Sequence, residues 1–402
     1  MKVTITPSIA SGCVLAPPSK SMAHRMLMGA GLAEGTSVVG NIELSEDIKA
    51  TLGMLKALGA QYKIKDGKVI MQGVGGKCLQ ANERLNSNES GSTLRFFIPL
   101  VLAGGGKFEF VGAKRLFERP LEIYAEICKE QGVLFDKYEC GLTVEGKLKA
   151  AHFKVQGNIS SQFITGLLFA LPLLEEDSIL EVVPPIESRA YIDMTLETLK
   201  TFGIQVKQEG NTFYIAGNQS YQAKNVTVEG DYSNAAFLDA FNLIGGNVKV
   251  EGLRESTLQG DRIYKTYYEV LKEAHPEIDI AECPDLGPIL MGLAAAMNGA
   301  HFTGTRRLRI KESDRGAVMA EELAKFGIKV DVMENEIVVH QGTLTRPSKI
   351  LNSHNDHRIA MTMATLCSVT GGMIDGAESV RKSFPNYYDV IEGLGIQVTR
   401  EV

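Results

Sequence analysis

Residues 46–59 read EDIKATLGMLKALG, and this pattern decides the fold class. Leu52, Leu55 and Leu58 lie seven, four and one places before Gly59, so their side chains share one face of a helix. A glycine directly after the last apolar residue favours the left-handed conformation that ends many helices. The segment therefore predicts an amphipathic helix that buries one side and stops at Gly59.

The same helix recurs along the chain, each time followed by two short strands with alternating apolar residues. Matching offsets occur in Leu196-Leu199-Phe202-Gly203 and in Tyr388-Ile391-Leu394-Gly395. Gly132 and Gly327 end two further copies, and His275-Pro276 occupies the remaining stop. A fixed motif repeated at this distance predicts a fold built from similar units.

A second, nearly wholly apolar helix precedes each of these copies. Its starts lie near Ser21, Ser92, Ser161, Ser233, Asp285 and Asp356, at spacings of 71, 69, 72, 52 and 71 residues. Each unit therefore reads strand–helix–strand–helix–strand–strand over about 67 residues, and the fourth unit lacks a strand. Six such units predict two pseudo-symmetric α/β domains of three units each. A solenoid is the alternative, but long units with apolar helices favour closed cores.

The composition excludes several classes of protein. The chain has 402 residues, 44% of them hydrophobic and 22% charged, as is typical of a globular protein with more than one domain. Its formal net charge of −6 opposes general binding to nucleic acid or to an anionic membrane. The six cysteines form no C-x-x-C pair, which favours reduced thiols in the cytoplasm. The N-terminus resembles no signal peptide, and the apolar stretches 96–103 and 164–174 are too short to span a bilayer.

Charged residues near the helix starts give the main functional signal. Lys and Arg are disfavoured at helix N-termini because the helix dipole already places positive charge there. Lys20, Arg25 and Arg358 nevertheless lie near such starts, among Ser and Asp residues that are good N-caps. Cations combined with helix N-termini indicate a site for phosphate or carboxylate groups. We expect the symmetry of the units to bring these starts to one cleft, suited to a small ligand with several negative charges.

Two other patterns carry less information. The basic run 306–311 contains no interleaved aromatic residue, which weakens a nucleic-acid interpretation. His354 and His357 lie three residues apart, but the sequence suggests no further ligand beside them, so no metal site is predicted.

Eight short strings, taken in order, resemble the 5-enolpyruvylshikimate-3-phosphate synthase family. The resemblance covers nearly the whole chain, and the set is far more specific than any one string. The strings are Ser19-Lys20-Ser21-x-x-x-Arg25, Ser90-Gly91-Ser92-Thr93-x-Arg95, Glu118-Arg119-Pro120, Ser160-Ser161-Gln162-Phe163, Pro284-Asp285, Lys311-Glu312-Ser313-Asp314-Arg315, Asn355-Asp356-His357-Arg358 and Lys382-Ser383-Phe384-Pro385.

The resemblance implies two inside-out α/β domains, each of three βαβαββ units. One domain would be discontinuous, with residues 1–14 and 229–402, and the other would be inserted, with residues 15–228. The implied reaction transfers the enolpyruvyl group of phosphoenolpyruvate to the 5-hydroxyl of shikimate 3-phosphate. It releases phosphate through a tetrahedral adduct and needs no metal or organic cofactor. The resemblance also implies a monomer, and the composition already favours a cytoplasmic protein with no nucleic-acid or membrane partner.

The family motifs assign residues to two binding sites and to catalysis. The implied shikimate 3-phosphate site contains Lys20, Ser21, Arg25, Ser160, Ser161, Gln162, Ser188, Tyr191, Asp285 and Lys311. The implied phosphoenolpyruvate site contains Lys20, Gly91, Arg119, Gln162, Arg315, Arg358 and Lys382. The implied catalytic residues are Lys20, Asp285, which would orient and deprotonate the hydroxyl, and Glu312, which would exchange a proton with the methylene carbon.

Three departures and two alternatives accompany this resemblance. Glu89 lies where the family commonly has Asn, Arg307 where an Asn is often found, and Ser92 where Thr is usual. The related enolpyruvyl transferase for UDP-N-acetylglucosamine is one alternative, but the loop 112–120 lacks the cysteine that it carries. A non-catalytic protein that binds phosphorylated metabolites is the other, and it would have no reason to keep both Asp285 and Glu312.

Overall fold

The computed structural model describes residues 1–76 and 84–401, so Cys78 lies outside the described part. The chain divides into two compact units. The discontinuous unit contains Met1–Ser19 and Gly230–Val402, and the inserted unit contains Lys20–Glu229. The sequence placed the two crossings near residues 14 and 228, and the compact units divide at residues 19/20 and 229/230.

Short strands form six sheets within the described residues, five of four strands and one of two. The strands are β1 (Lys2–Thr6), β2 (Ser11–Leu15), β3 (Thr36–Gly40), β4 (Gln61–Lys65), β5 (Lys68–Gln72), β6 (Leu85–Asn86), β7 (Gly106–Val111), β8 (Leu134–Tyr138), β9 (Gly141–Gly146), β10 (His152–Gln156), β11 (Ser178–Val183), β12 (Val206–Glu209), β13 (Thr212–Ile215), β14 (Val226–Thr227), β15 (Asn247–Glu251), β16 (Glu277–Asp279), β17 (Ala300–Thr303), β18 (Val330–Val332), β19 (Glu336–Val339), β20 (Leu351–Asn352), β21 (Gly372–Asp375) and β22 (Gln397–Glu401).

Each four-stranded sheet contains one parallel pairing and two antiparallel pairings, which is the expected pattern for one βαβαββ unit. In the inserted unit the strand orders are β14-β3-β5-β4, β6-β7-β9-β8 and β10-β11-β13-β12. In the discontinuous unit they are β15-β2, β16-β17-β19-β18 and β20-β21-β1-β22. The two-stranded sheet belongs to the fourth repeat. The 52-residue spacing predicted that one strand is missing there, and this sheet lacks two of the four strands that the others have.

A strand from one end of each unit completes a sheet at its other end. Strand β14, the last of the inserted unit, pairs in parallel with β3, its first. Strand β1, at the N-terminus, pairs with both β21 and β22, so that Lys2 lies opposite Asp375 and Glu401. These pairings close each unit on itself. The predicted six-unit α/β fold is confirmed, and the solenoid alternative is wrong.

The helices follow the predicted alternation of wholly apolar and amphipathic segments. They are α1 (Lys20–Leu32), α2 (Glu46–Ala57), α3 (Gly91–Gly104), α4 (Lys114–Glu118), α5 (Glu122–Gln131), α6 (Ser161–Ala170), α7 (Arg189–Thr201), α8 (Tyr232–Asp239), α9 (Tyr264–Val270), α10 (Gly287–Ala296), α11 (Arg315–Lys325), α12 (His357–Thr370) and α13 (Tyr387–Gly393). Short 3₁₀ segments, such as Pro284–Leu286 and Arg306–Ile310, connect several of them.

The apolar helices form the interior of each unit. In the inserted unit they are α1, α3 and α6, whose residues Leu27, Phe97 and Leu167 are fully buried. In the discontinuous unit they are α8, α10 and α12, with Phe237 and Leu290 fully buried. Complete burial of a side chain of this size contributes about 1.5–3 kcal/mol to folding. An interior helix therefore needs no polar face, which explains its nearly continuous apolar sequence.

The predicted helix ends and starts are found in the structure. The five stop glycines, at positions 59, 132, 203, 327 and 395, all have positive φ, between 69° and 104°. His275 replaces a glycine with a left-handed φ of 51°. Ser160, Asp231 and Asp356 cap helices α6, α8 and α12, because each side chain accepts a hydrogen bond from a backbone N–H of the first turn. Each unit thus presents several capped helix starts with polar side chains.

Candidate active site

Lys20 begins α1, and a carboxylate from the next helix holds its side chain. Lys20 Nζ lies 2.8 Å from Oδ2 of Asp47, and the two side chains are only 16% and 12% exposed. Asp47 lies in the first turn of α2, where the helix dipole favours an anionic side chain. Sequence reasoning missed Asp47, because Ser45-Glu46-Asp47 predicts only a capped helix start.

Arg25 lies in the second turn of α1 and is 3% exposed. Its guanidinium donates hydrogen bonds to Oγ1 of Thr195 and Thr165, at 2.9 and 3.2 Å, and to the carbonyl oxygens of Tyr191 and Ser21, at 3.0 and 2.8 Å. All four acceptors are neutral. Burial lowers the pKa of Arg25 to about 10, so the group stays cationic near pH 7. A buried cation held by neutral groups favours an anionic ligand.

The starts of α3 and α6 are joined through Arg95, which the sequence did not assign to the site. Arg95 donates to Oε1 of Gln162 at 2.7 Å, and Nε2 of Gln162 donates to Oγ of Ser92 at 2.9 Å. A methyl group added to Gly91 would lie 2.7 Å from Nη1 of Arg119 and 2.9 Å from Nη1 of Arg95. Gly91 thus allows both guanidinium groups to lie against the start of α3.

The predicted hydroxyl groups lie at the starts of α6 and α7. Ser160 caps α6 by accepting a hydrogen bond from the N–H of Gln162, and Ser161 is 5% exposed. Ser188 immediately precedes α7 and has a left-handed φ of 58°. The centroid of the Tyr191 ring lies 5.7 Å from the guanidinium carbon of Arg25. The inserted unit therefore gathers hydroxyl groups and cations at these helix starts.

The discontinuous unit gathers carboxylates around Arg315, which is 1% exposed. Nη1 of Arg315 lies 2.8 Å from Oδ1 of Asp285, and Nη2 lies 2.8 Å from Oε2 of Glu312. Nε donates to Oδ2 of Asp356 at 2.9 Å. Lys311 Nζ lies 3.1 Å from the same oxygen of Asp285. Sequence reasoning assigned Asp356 only a capping role, whereas its carboxylate both caps α12 and pairs with Arg315.

Charge governs the protonation of this cluster. Burial by itself would raise the pKa of Asp285, but Lys311, Arg315 and Arg358 together hold it well below its usual range. Burial lowers the pKa of Lys311, and the nearby arginines add to this effect while Asp285 opposes it. Burial also works against the charge of Arg315, but Asp356, Glu312 and Asp285 raise its pKa. Asp285 is thus a carboxylate at neutral pH, where it can accept a hydrogen bond from a hydroxyl group.

Two further predicted cations lie near this cluster. Arg358, in the first turn of α12, is 3% exposed, and its Nη2 lies 3.9 Å from Oδ2 of Asp285. Lys382 is 8% exposed, and its Nζ donates to the carbonyl oxygen of Asn355 at 2.5 Å. Asn355 directly precedes Asp356, so the contact of Lys382 also supports the turn that starts α12.

The positions that depart from the family pattern have different surroundings. Glu89 is half-buried in the turn before α3. Arg307 is 5% exposed in the 3₁₀ segment Arg306–Ile310, and its Nη1 donates to the carbonyl oxygen of Ala281 at 3.3 Å. Ser92 retains a hydroxyl group, which accepts the hydrogen bond from Gln162.

One group of side chains within the described residues has metal-ligand geometry. The ligand atoms of Glu321, Glu322 and His354 lie within 4.8 Å of one another. Nζ of Lys325, however, lies 2.7 Å from Oε1 of Glu322, so a cation already occupies this carboxylate. His357, the second histidine of the sequence pattern, does not belong to the group. Within residues 1–76 and 84–401, no helix has the length and apolar character needed to span a membrane.

Comparison with known proteins agrees with the resemblance seen in the sequence. Residues 6–391 match the family model for EPSP synthase (3-phosphoshikimate 1-carboxyvinyltransferase). A 3-phosphoshikimate 1-carboxyvinyltransferase from Clostridium perfringens is 40% identical, covering 98% of each chain, and one from Clostridioides difficile is 38% identical, covering 97% of each. A solved EPSP synthase from Acinetobacter baumannii superposes with a TM-score of 0.79 at 25% identity, covering 99% of this chain and 100% of that one. The chain therefore belongs to the EPSP synthase family.

Proposed function

We propose that this chain transfers the enolpyruvyl group of phosphoenolpyruvate to the 5-hydroxyl of shikimate 3-phosphate. The hydroxyl oxygen adds to C2 of phosphoenolpyruvate, and the methylene carbon of phosphoenolpyruvate gains a proton. The adduct then loses a proton from that carbon and releases phosphate. The observation that carries the proposal is the position of Asp285 and Glu312 on the two terminal nitrogens of Arg315. The reaction needs one group to take the hydroxyl proton and one to exchange a proton at carbon, and these two acids supply them.

Asp285 is proposed to orient the 5-hydroxyl and to take its proton. A carboxylate whose pKa is held low is a good acceptor but a weak base. The groups that lower this pKa, Lys311, Arg315 and Arg358, are also the proposed ligands of the substrate anions. Bound phosphate and carboxylate groups would neutralise them and so raise the pKa of Asp285. Substrate binding would thereby make Asp285 a stronger base when the hydroxyl arrives.

Glu312 is proposed to give a proton to the methylene carbon and then to take one back. Its Oε2 already lies 2.8 Å from Nη2 of Arg315, which supports the position of its carboxylate. Pairing of Arg315 with the carboxylate of phosphoenolpyruvate would weaken that support. Arg315 and Arg358 suit this carboxylate because a guanidinium binds a planar anion through two parallel hydrogen bonds.

The inserted unit is proposed to supply most of the anion binding. Ser21 and Arg25 would hold the carboxylate of shikimate 3-phosphate, and Tyr191 would lie near its ring. Its phosphate would be bound by Ser160, Ser161, Ser188 and, from the discontinuous unit, Lys311. The phosphate of phosphoenolpyruvate would be bound by Lys20, Arg119, Gln162 and Lys382. Lys20 would exchange its contact with Asp47 for this phosphate and stabilise it as it leaves.

The direct test is phosphate release when the purified protein is mixed with both substrates. Release that needs both substrates, together with an enolpyruvyl product detected by mass spectrometry, would support the proposal. UDP-N-acetylglucosamine in place of shikimate 3-phosphate tests the related transferase. Binding of both substrates without phosphate release would favour a non-catalytic binding protein. The family match over residues 6–391 already disfavours both alternatives.

The protein is further proposed to act as a monomer in the cytoplasm without a metal ion or organic cofactor. The five cysteines within the described residues are free thiols, which fits a reducing compartment. Light scattering should give the mass of one chain at working concentration, and the mass of two chains would contradict the monomer. Full activity after treatment with a chelator is also expected.

A further inference from the structure

A chain of buried hydrogen bonds joins the first three helices of the inserted unit. Nδ1 of His24, on α1, lies 2.8 Å from Oγ1 of Thr51, on α2. Thr51 Oγ1 lies 2.8 Å from Oγ1 of Thr93, on α3, which donates to Oγ of Ser90 at 2.7 Å. None of the four residues is more than 1% exposed. The chain ends at the N-cap of α3, next to Gly91.

The donors and acceptors of this chain fit one arrangement of protons. The Oγ of Ser90 accepts hydrogen bonds from both the hydroxyl and the backbone N–H of Thr93. The Thr93 oxygen then accepts from Thr51, and the Thr51 oxygen accepts from Nδ1–H of His24. Burial, with the nearby charges of Lys20 and Arg25, lowers the pKa of His24, so the ring is neutral and carries one N–H. This chain of hydrogen bonds therefore places the single ring proton of His24 on Nδ1.

His24 and its neighbour Arg25 make equivalent connections to different helices. Arg25 donates to Thr195 on α7 and to Thr165 on α6, and those two hydroxyl oxygens lie 2.9 Å apart. Arg25 thus contacts both threonines of its pair directly, whereas His24 contacts Thr51, whose hydroxyl in turn pairs with that of Thr93. The pair of His24 leads to the start of α3, whereas that of Arg25 lies between α6 and α7. This second pair therefore provides a matched control for the first.

We propose that His24, Thr51 and Thr93 are positioning residues that fix the start of α3 and thereby set the affinity for phosphoenolpyruvate. The proposal rests on the proposed function, in which Gly91 and Arg119 contribute to that site. None of the three residues is assigned a contact with substrate. They act through Ser90, whose position determines where Gly91 lies against the guanidinium groups of Arg119 and Arg95. Since that approach leaves no room for a methyl group, a small shift of the α3 start changes the site.

The test replaces Thr51 with Val, which keeps the shape and removes the hydroxyl, and with Ser, which keeps the hydroxyl. Thr51→Val breaks the chain at its centre and leaves His24 and Thr93 without this partner. We expect the KM for phosphoenolpyruvate to rise about tenfold, because an unpaired buried polar group costs enough to shift the helix start. The KM for shikimate 3-phosphate should change less than twofold. Thr51→Ser, which keeps the hydroxyl, should have a KM for phosphoenolpyruvate close to that of the wild type.

The matched pair Thr195→Val and Thr195→Ser should give the opposite pattern. Thr195 accepts from Arg25, the proposed ligand of the shikimate carboxylate, so its Val variant should raise the KM for shikimate 3-phosphate more than that for phosphoenolpyruvate. Hydrogen exchange provides a readout that does not depend on activity. The amides of residues 90–95 should exchange faster in Thr51→Val than in Thr51→Ser or Thr195→Val.

The outcomes separate this proposal from the proposed function. If the wild-type protein releases no phosphate when both substrates are present, the proposed function fails. If the wild-type protein does release phosphate, an unchanged KM for phosphoenolpyruvate in Thr51→Val would overturn the positioning role. An equal rise in the KM values for both substrates would also overturn it. Should Thr51→Val not fold, Thr93→Val and Thr93→Ser carry the same test, because Thr93 is the next member of the chain.

Discussion

Arg25 and Arg315 are both buried arginines in the candidate site, but their partners differ. Arg25, in the inserted unit, is held by two threonine hydroxyls and two carbonyl oxygens. Arg315, in the discontinuous unit, contacts the carboxylates of Asp285, Glu312 and Asp356. Burial lowers the pKa of Arg25 to about 10, whereas the three carboxylates outweigh burial and raise the pKa of Arg315.

This difference indicates a division of work between the units. A cation held by neutral groups keeps its positive charge available for a substrate anion. A cation surrounded by carboxylates instead fixes their positions, and Arg315 helps to hold the pKa of Asp285 below its usual range. The surroundings of Arg25 therefore suit the anion binding proposed for the inserted unit, whereas the cluster around Arg315 holds the acids of the discontinuous unit. The two arginines should therefore differ in how much stability is lost when each is removed.

Removal of each arginine is the strongest test of this comparison. Arg315→Met leaves three buried or partly buried carboxylates without their shared cation, which should lower the free energy of unfolding by about 3–5 kcal/mol. Arg25→Met leaves only neutral acceptors without a donor, and a loss of about 1–3 kcal/mol is expected. Urea denaturation of both variants at pH 7 measures the difference. Equal losses would mean that the carboxylates around Arg315 do not depend on its charge.

If Arg315→Met does not fold, Arg315→Lys provides the comparison. A lysine retains the charge but has a single nitrogen, so it cannot contact all three carboxylates at once. This variant should still lose more stability than Arg25→Lys.

The acids held by Arg315 should have the largest effect on turnover. Asp285→Asn and Glu312→Gln each remove one proposed proton transfer while preserving size, and each should lower kcat at least about 100-fold. Shikimate 3-phosphate should still bind, since most of its proposed ligands lie in the inserted unit. Steady-state phosphate release and calorimetric titration with shikimate 3-phosphate measure the two quantities. Near-normal kcat in either variant would remove that residue from the mechanism.

The sequence predicted the fold well, because the fold depends on repeated local signals. Steps of three and four between apolar residues mark a buried helix face, and a glycine after the last of them marks its end. All five predicted stop glycines have the positive φ that this requires. The spacing of 52 residues also located the fourth repeat, whose sheet has only two strands. Such features need no knowledge of distant contacts.

The partners of the site residues were not predictable in the same way. Thr195 contacts Arg25 from 170 residues away, and Asp356 contacts Arg315 from 41 residues away. A sequence pattern gives the type of each residue but does not say which side chains meet after folding. Asp356 also shows that one carboxylate can have two roles. Its position before α12 correctly predicted a cap, and the ion pair with Arg315 left no separate signal.

Gly91 lies where the start of α3 approaches Arg119, a residue of the proposed phosphoenolpyruvate site. Gly91→Ala places a methyl group 2.7 Å from Nη1 of Arg119, so that guanidinium must move. We expect the KM for phosphoenolpyruvate to rise about tenfold, because a misplacement of about 1 Å can cost as much as about 100-fold. The KM for shikimate 3-phosphate should stay nearly constant. Steady-state kinetics with each substrate varied in turn would show this.

Gly53 provides the control for Gly91. It lies in α2, and an added methyl group would meet nothing within 4 Å. Gly53→Ala should leave both KM values unchanged and raise the free energy of unfolding by about 0.5–1 kcal/mol, because glycine is a poor helix former. A similar rise in KM for both variants would mean that the effect at Gly91 is not local.

The smallest expected effect is the acid dependence of stability at Asp285. Its folded-state pKa lies below the ordinary aspartate value because Lys311, Arg315 and Arg358 outweigh burial. A group with a lowered folded-state pKa stabilises the protein fully above its unfolded pKa of about 3.9, and this contribution is lost as pH falls toward the folded value. Asp285→Asn, which resembles the protonated form, should therefore be less stable than wild type at pH 6–7. The gap in the free energy of unfolding between the two proteins should begin to narrow only near pH 4 and below.

Urea denaturation of both proteins from pH 7 to the lowest pH at which they remain folded measures this gap. A gap that widens on acidification would mean that the Asp285 carboxylate is less stable in the folded protein than in the unfolded chain, and the assigned balance between burial and the three cations would be wrong.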